Sequence, residues 1–210
     1  MSIKLRRANM VILGWQHNPE IVSPSWLKEK GLITEEPTQF AHTKEFSAFE
    51  SETLSLILDR ERLQISAKKR TPEALQAVQH VGAGYIAEQP QIAYRALGYN
   101  FEWVLEVAPG EALPQVAVQA GRAADPSALL PGHQLNFGFV VVAEKNPYRL
   151  RLVAEPEGNS TMAYKFNYHH ELGGVDLRGI SQIAATLVGL SEHSRTIAES
   201  LSTTGGNGND

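Results

Sequence analysis

One segment of the chain places polar side chains along a strand face in a pattern suited to ligand binding. In residues 161–171, TMAYKFNYHHE, aromatic and polar positions alternate with the two-residue period of a β-strand. Lys165, Asn167 and His169 therefore share one face, while Tyr164 and Phe166 share the other. A lysine, an amide and an imidazole can together bind an anionic or amide-bearing ligand. We expect the aromatic face to pack on helices and the polar face to be open.

The neighbouring predicted strands add polar residues to the same face. These strands cover residues 93–107, 134–144 and 148–155. If all four strands share one sheet, the candidate ligand-binding or partner-binding residues are Asn100, Glu102, Asn136, Arg149, Arg151, Lys165, Asn167 and His169. The alternative is an ordinary solvated sheet face, on which the two arginines only pair with surface carboxylates such as Glu102.

The histidines do not predict a metal site. His169 and His170 are adjacent in a strand and so point to opposite faces, which prevents them from binding one ion together. His169 with Glu171 supplies only two ligands, and the other histidines lack ligand spacing. The chain has no cysteine, which excludes thiolate metal sites and a cysteine nucleophile. The sequence predicts no metal and no cofactor.

Known catalytic motifs are missing from the sequence. It contains no Walker loop, no Rossmann glycine fingerprint, no HExxH and no GxSxG. Gly82-Ala83-Gly84 lies within a helical pattern, which favours close packing over a phosphate loop. No catalytic residue is identified, so the sequence favours a non-catalytic protein and keeps an enzyme as an alternative.

Composition bounds the possible partners and the location. The 210 residues are 42% hydrophobic and 20% charged, with a formal net charge of −4, as in ordinary globular proteins. A net negative charge argues against nucleic acid as the partner, and the cluster Lys4, Arg6 and Arg7 is interpreted as a solvated chain end. The start lacks a secretory core, and no apolar stretch is long enough for a membrane span. We expect a cytoplasmic protein without a membrane partner.

The predicted elements occur in two similar series. Each consists of a strand, a short helix, three strands and a long helix, the long helices covering residues 72–88 and 176–201. The first strand is predicted over residues 9–16, and Thr71 and Pro72 are expected to cap and begin the first long helix. Leu13-Gly14-Trp15-Gln16 is similar to Leu97-Gly98-Tyr99-Asn100. The prediction is therefore an α+β fold of two β-(short α)-β-β-β-α repeats, residues 1–90 and 91–201, followed by a flexible tail at 202–210. The repeats form an antiparallel sheet with both long helices on one face.

This order of elements resembles the TATA-binding-protein fold. There, two copies share one antiparallel sheet, and both long helices lie on its convex side. Each copy here has one predicted strand fewer, and the negative charge argues against transferring DNA binding along with the fold.

The sequence supports three functions to different degrees. The leading hypothesis is a non-catalytic binding or scaffolding protein that presents a sheet face or edge to a protein partner or to its own copy. The alternative is a small-ligand binder or enzyme using the polar face around Arg149, Arg151, Asn167 and His169, and nucleic-acid binding has the least support. The core is predicted to contain the aromatic residues Phe101, Trp103, Phe137, Phe139, Tyr164 and Phe166.

Overall fold

The computed structural model describes residues 2–108, 113 and 138–203. The elements up to residue 90 are β1 (Ser2–Trp15), α1 (Pro24–Glu29), β2 (Gln39–His42), β3 (Phe46–Glu50), β4 (Leu54–Asp59), β5 (Arg62–Ala67) and α2 (Pro72–Glu88). The later elements are β6 (Ala93–Glu106), β7 (Phe139–Lys145), β8 (Tyr148–Pro156), β9 (Thr161–Glu171), α3 (Leu177–Ala184) and α4 (Leu187–Thr203). The predicted α+β class is confirmed.

The strands form a single antiparallel sheet. Within the described residues it has nine strands, in the order β2-β3-β4-β5-β1-β6-β9-β8-β7. The two 14-residue strands, β1 and β6, pair at its centre, and Asn9 lies opposite Asn100 in their register. Because the register of every pair is fixed, the residues that share a row across the sheet can be read from one strand to the next.

One face of this sheet carries the core. Met10 and Tyr99 lie opposite each other on this face and are both fully buried. A Cβ built on Gly82 of α2 would lie 2.2 Å from the Met10 sulfur, so this glycine permits the close approach of helix and strand. On the α4 side, the Trp103 indole Nε1 donates to Ser194 Oγ at 2.8 Å.

The aromatic core prediction is confirmed at four positions. Phe101, Trp103, Tyr164 and Phe166 are all buried, at 7% exposure or less. Phe139 is only half-buried, because it lies in the outermost strand β7. Phe137 lies outside the described residues.

The first long helix matches its prediction, and the second does not. Thr71 accepts a hydrogen bond from the Ala74 amide and Pro72 occupies the first turn, as expected of an N-terminal cap. The single helix predicted for 176–201 is instead α3 and α4, separated at Ala185 and Thr186. The Ile183 carbonyl accepts from the Thr186 amide, the Thr186 hydroxyl and the Tyr99 hydroxyl, and these bonds compete with the regular helical ladder.

Two strand predictions also need correction. β1 begins at Ser2, whereas the sequence predicted a strand over 9–16. The edge strand β2 was missed, so the first half has four strands after its short helix, not three. β2 is four residues long and exposed along its whole length, so it lacks the alternation that identifies a half-buried strand. None of the described helices is long and apolar enough to span a membrane.

Candidate functional site

The face opposite Met10 and Tyr99, which we call the open face, carries a row of polar side chains. Ser66, Asn9, Asn100, Asn167 and Arg151 follow one another across β5, β1, β6, β9 and β8. The Asn100 Nδ2 group donates to Asn9 Oδ1 at 2.8 Å, and the Asn167 Nδ2 group donates to Asn100 Oδ1 at 2.7 Å. The three asparagines thus form a ladder perpendicular to the strands, and Arg151 occupies the next position after it.

A buried carboxylate lies one row away from the ladder. Glu102 is only 8% exposed. Its Oε1 is 2.5 Å from Arg6 Nη2 and 4.0 Å from Lys165 Nζ, and its Oε2 is 3.8 Å from Arg7 Nε. The hydrogen bond from Arg6 lowers the pKa of Glu102 against the opposing effect of burial. Glu102 is therefore ionised at neutral pH.

Arg6 joins this cluster to the turn after β8. Its guanidinium bonds both carboxylate oxygens of Glu157 at 2.6 Å, in addition to its bond to Glu102. The hydrogen bonds from Arg6 to Glu157, which has the larger effect, and to Glu102 raise the pKa of Arg6 above its ordinary value. Lys165 bonds Glu155 on the neighbouring strand. These pairs position two of the cations near Glu102, Arg6 and Lys165.

The ladder and the Glu102 cluster enclose a groove of about 550 Å³, which we call the polar groove. Its lining consists of Arg6, Arg7, Asn9, Asn100, Phe101, Glu102, Arg151, Lys165, Phe166 and Asn167. Because Phe101 and Phe166 point into the core, the side chains available to a ligand are charged or amide groups. The groove lies on the open face over β1, β6, β9 and β8.

Arg151 differs from the other cations of the polar groove. Its side chain is exposed, and among the described carboxylates none lies within 4.0 Å of its guanidinium. Counted over the part of the chain that the structure describes, the groove and its immediate ion pairs contain four cations and three carboxylates, Glu102, Glu155 and Glu157. The local balance is therefore one positive charge, in a chain whose formal net charge is −4.

The structure brings together five of the eight residues predicted for the site. Asn100, Glu102, Arg151, Lys165 and Asn167 all line the polar groove. Arg149 and His169 lie opposite each other one row away and are not part of the lining. Asn136 lies outside the described residues.

Neither Arg149 nor Arg151 lies within 4.0 Å of Glu102, the carboxylate that the alternative interpretation named as an example, and the cations within that distance are Arg6, Arg7 and Lys165. Arg149 does have a surface carboxylate, Glu144, at 3.9 Å. His169 Nε2 lies 2.7 Å from Glu171 Oε1 on its own strand. Arg149 and His169 each have a nearby carboxylate, whereas Arg151 has none among the described residues.

Sequence reasoning missed three residues of the groove, Arg6, Arg7 and Asn9. The basic residues were interpreted as a solvated end, because the strand was expected to begin near residue 9. A signal was present: Ile3 and Leu5 alternate with Lys4 and Arg6, which extends the strand period back to the start of the chain. The bulge between Leu5 and Arg7 breaks that period and obscures which residues share a face.

The chain provides few other indications of its chemistry. Within the described ranges, no three His, Asp or Glu side chains are arranged to hold a metal ion. No model of a known protein family matches the chain, and no curated protein shows significant sequence similarity to it. The geometry of the polar groove is therefore the basis for assigning a function.

Proposed function

We propose that this chain is a non-catalytic binding protein that holds an anionic group of its partner in the polar groove. The observation that carries the proposal is Arg151, an exposed guanidinium beside the asparagine ladder that has no described carboxylate partner. Guanidinium groups bind carboxylate and phosphate oxygens through two parallel hydrogen bonds. Asn167, directly opposite Arg151, adds an amide donor next to it.

The chemistry of the groove supports binding over catalysis. The described residues of its lining include no serine, histidine, tyrosine or cysteine, so the nucleophiles and bases available among them are few. Glu102 is the one carboxylate among the lining residues, and its lowered pKa makes it a weak base at neutral pH. Arg6 also donates a hydrogen bond to Glu102 Oε1, and Arg7 and Lys165 place two further positive charges within 4.0 Å of the carboxylate.

A thermal-shift titration with anions tests this proposal. At low ionic strength, we expect at least one of glutarate, inorganic phosphate and a short acidic peptide to raise the melting temperature of the wild-type chain. The Arg151→Ala variant should lose that increase. Arg178→Ala is the matched control, because Arg178 is also exposed and also lacks an ion pair with any described residue. An equal response of wild type and Arg151→Ala would contradict the proposal.

A second mode of binding, strand addition at the sheet edge, is favoured by β7. Val140, Val141 and Val142 are consecutive in this outermost strand and are 56%, 44% and 48% exposed. Both faces of the edge are therefore apolar at these three valines, and an exposed edge strand can accept another strand. The Val141→Lys variant should lower the mass in solution if copies associate here. Leu177→Lys, at an exposed apolar residue outside β7, is the control.

The strand order also supports a proposal about the origin of the fold, that residues 1–90 and 91–201 are two copies of one unit. Counted outward from the centre, the order β1-β5-β4-β3 on one side corresponds to β6-β9-β8-β7 on the other. In each half, the central strand comes first in sequence. The other three strands then follow from the outside of the sheet toward the centre, as β3, β4, β5 in one half and β7, β8, β9 in the other. β2 has no counterpart among the described strands.

A further inference from the structure

We infer that the anion bound in the polar groove is a carboxylate on an acidic side chain of a protein segment. This inference depends on the proposed function and narrows it to one ligand class. Three features of the described residues support it: the charge balance, the unused hydrogen-bond donors and the apolar surface beside the groove.

The charge balance favours a single negative charge. Of the four cations around the groove, Arg6 bonds Glu102 and Glu157, Lys165 bonds Glu155, and Arg7 lies near Glu102. Only the charge of Arg151 remains without a partner among these residues. A carboxylate neutralises one charge, whereas a phosphate monoester brings about −1.5 to −2 at neutral pH and would leave the site negative.

The donors that remain fit a planar carboxylate. Asn100 and Asn167 each donate one amide hydrogen along the ladder, which leaves a second hydrogen on each amide within the described network. The guanidinium of Arg151 presents a planar fork next to Asn167. A carboxylate bound by that fork has a further lone pair on each oxygen for the neighbouring amide.

The surface beside the groove favours a protein segment over a free small molecule. Val11 and Leu13 follow Asn9 on the same face of β1, and both are only partly buried. Opposite Val11 lies Gly98, whose lack of a side chain leaves the sheet surface open. A peptide whose acidic side chain reaches Arg151 can cover these apolar groups with its neighbouring residues, which a small carboxylic acid cannot do.

Binding of three blocked peptides tests the inference. The peptides are identical except for one central residue, which is glutamate, glutamine or phosphoserine, and apolar residues flank it. Dissociation constants are measured by NMR from the side-chain amide signals of the asparagines, with glutarate as the small-molecule comparison. We expect the glutamate peptide to bind about 10-fold more tightly than the glutamine peptide, as one charge-assisted hydrogen-bonded pair provides. The phosphoserine peptide and glutarate should both bind more weakly than the glutamate peptide.

Lysine variants separate the contribution of the planar Arg151 guanidinium to binding from that of its positive charge. Arg151→Lys keeps the positive charge and should weaken binding of the glutamate peptide about 5-fold or more. Arg178→Lys should leave the dissociation constant of this peptide unchanged. An unchanged thermal melt of Arg151→Lys shows that the fold is intact.

Each contrary result identifies what is wrong. If the phosphoserine peptide bound more tightly than the glutamate peptide, the assignment of the ligand as a carboxylate would be wrong, while the proposal that the groove binds an anion would remain. If glutarate bound as tightly as the glutamate peptide, the assignment of the carboxylate to a protein segment would be wrong. Absence of binding by every anion would overturn the proposed function itself.

Discussion

The Asn100 side chain donates to the Asn9 side chain at 2.8 Å across the central strand pair of the sheet. These residues lie directly opposite each other, so the bond joins the two halves of the chain where β1 and β6 meet. Asn9 is 8% exposed and thus largely removed from solvent. The polar groove is therefore built on the seam between the halves, and its geometry depends on their pairing.

The middle of the asparagine ladder should contribute more to stability than its end. Asn100→Ala removes two hydrogen bonds and leaves the buried Asn9 amide without its partner, whereas Asn167→Ala removes one bond at a half-buried position. We expect Asn100→Ala to lower the free energy of unfolding by about 2–3 kcal/mol and Asn167→Ala by about 1 kcal/mol. Urea unfolding of both variants measures the difference. Equal losses would contradict the larger contribution of the middle residue.

The aromatic face of β9 should be far more sensitive to truncation than its polar face. Phe166 is 2% exposed, and Lys165 precedes it on the open face. Phe166→Ala should lower the free energy of unfolding by about 3–5 kcal/mol, while Lys165→Ala should cost under about 1 kcal/mol. Thermal or denaturant unfolding compares the two. A melting temperature unchanged by Phe166→Ala would contradict the burial of this face.

Glu102 should make the protein sensitive to acid. Since its pKa in the folded state lies below the ordinary value of 4.5, its stabilisation is complete above pH 4.5 and is lost as the pH falls through the folded pKa. Glu102→Gln should lower the stability at pH 7 and reduce the further loss on acidification. Urea unfolding between pH 7 and pH 3 measures both effects. Glu199→Gln, at an exposed carboxylate of α4, should leave the acid-dependent loss as in wild type.

A buried histidine should make the stability sensitive to acid already below pH 6.5. His17 is 3% exposed, and burial lowers its pKa from 6.5 to about 4. The unfolded chain therefore binds a proton at a pH where the folded chain does not, and stability falls as the pH drops from 6.5 toward 4. Between pH 7 and pH 5 we expect a loss of roughly 1–2 kcal/mol from this residue.

The His17→Gln variant isolates this effect. Its free energy of unfolding should change less between pH 7 and pH 5 than that of the wild type. His42→Gln, at an exposed histidine, serves as the control and should keep the wild-type slope. A wild-type slope in His17→Gln would assign the acid sensitivity of this range to another group.

Local patterns in the sequence were sufficient to predict which face of β6 and of β9 is buried. In β9 and β6 the two-residue alternation correctly placed Phe166 and Phe101 in the core and Asn167 and Asn100 on the opposite face. Thr71 and Pro72 likewise predicted the start of α2. These signals are local, because each depends on residues only a few positions apart.

Tertiary contacts determined the features that could not be predicted. The break between α3 and α4 involves the Tyr99 hydroxyl, which comes from a strand more than 80 residues earlier and bonds the Ile183 carbonyl. The role of Arg6 depends on Glu102 and Glu157, which are 96 and 151 residues away in sequence. No local pattern connects such residues, so the basic start of the chain could not be assigned to the groove.

Mapping where an acidic ligand binds is the most direct test of the polar groove as the binding site. Backbone amide shifts are recorded while the blocked glutamate peptide is titrated into the labelled full-length chain at low ionic strength. We expect the largest changes on the open face, around Asn9, Asn100, Asn167 and Arg151, and we expect Arg151→Ala to abolish them. Changes confined to the helices α2, α3 and α4, or no change at saturating peptide, would contradict the assignment of the polar groove as the binding site.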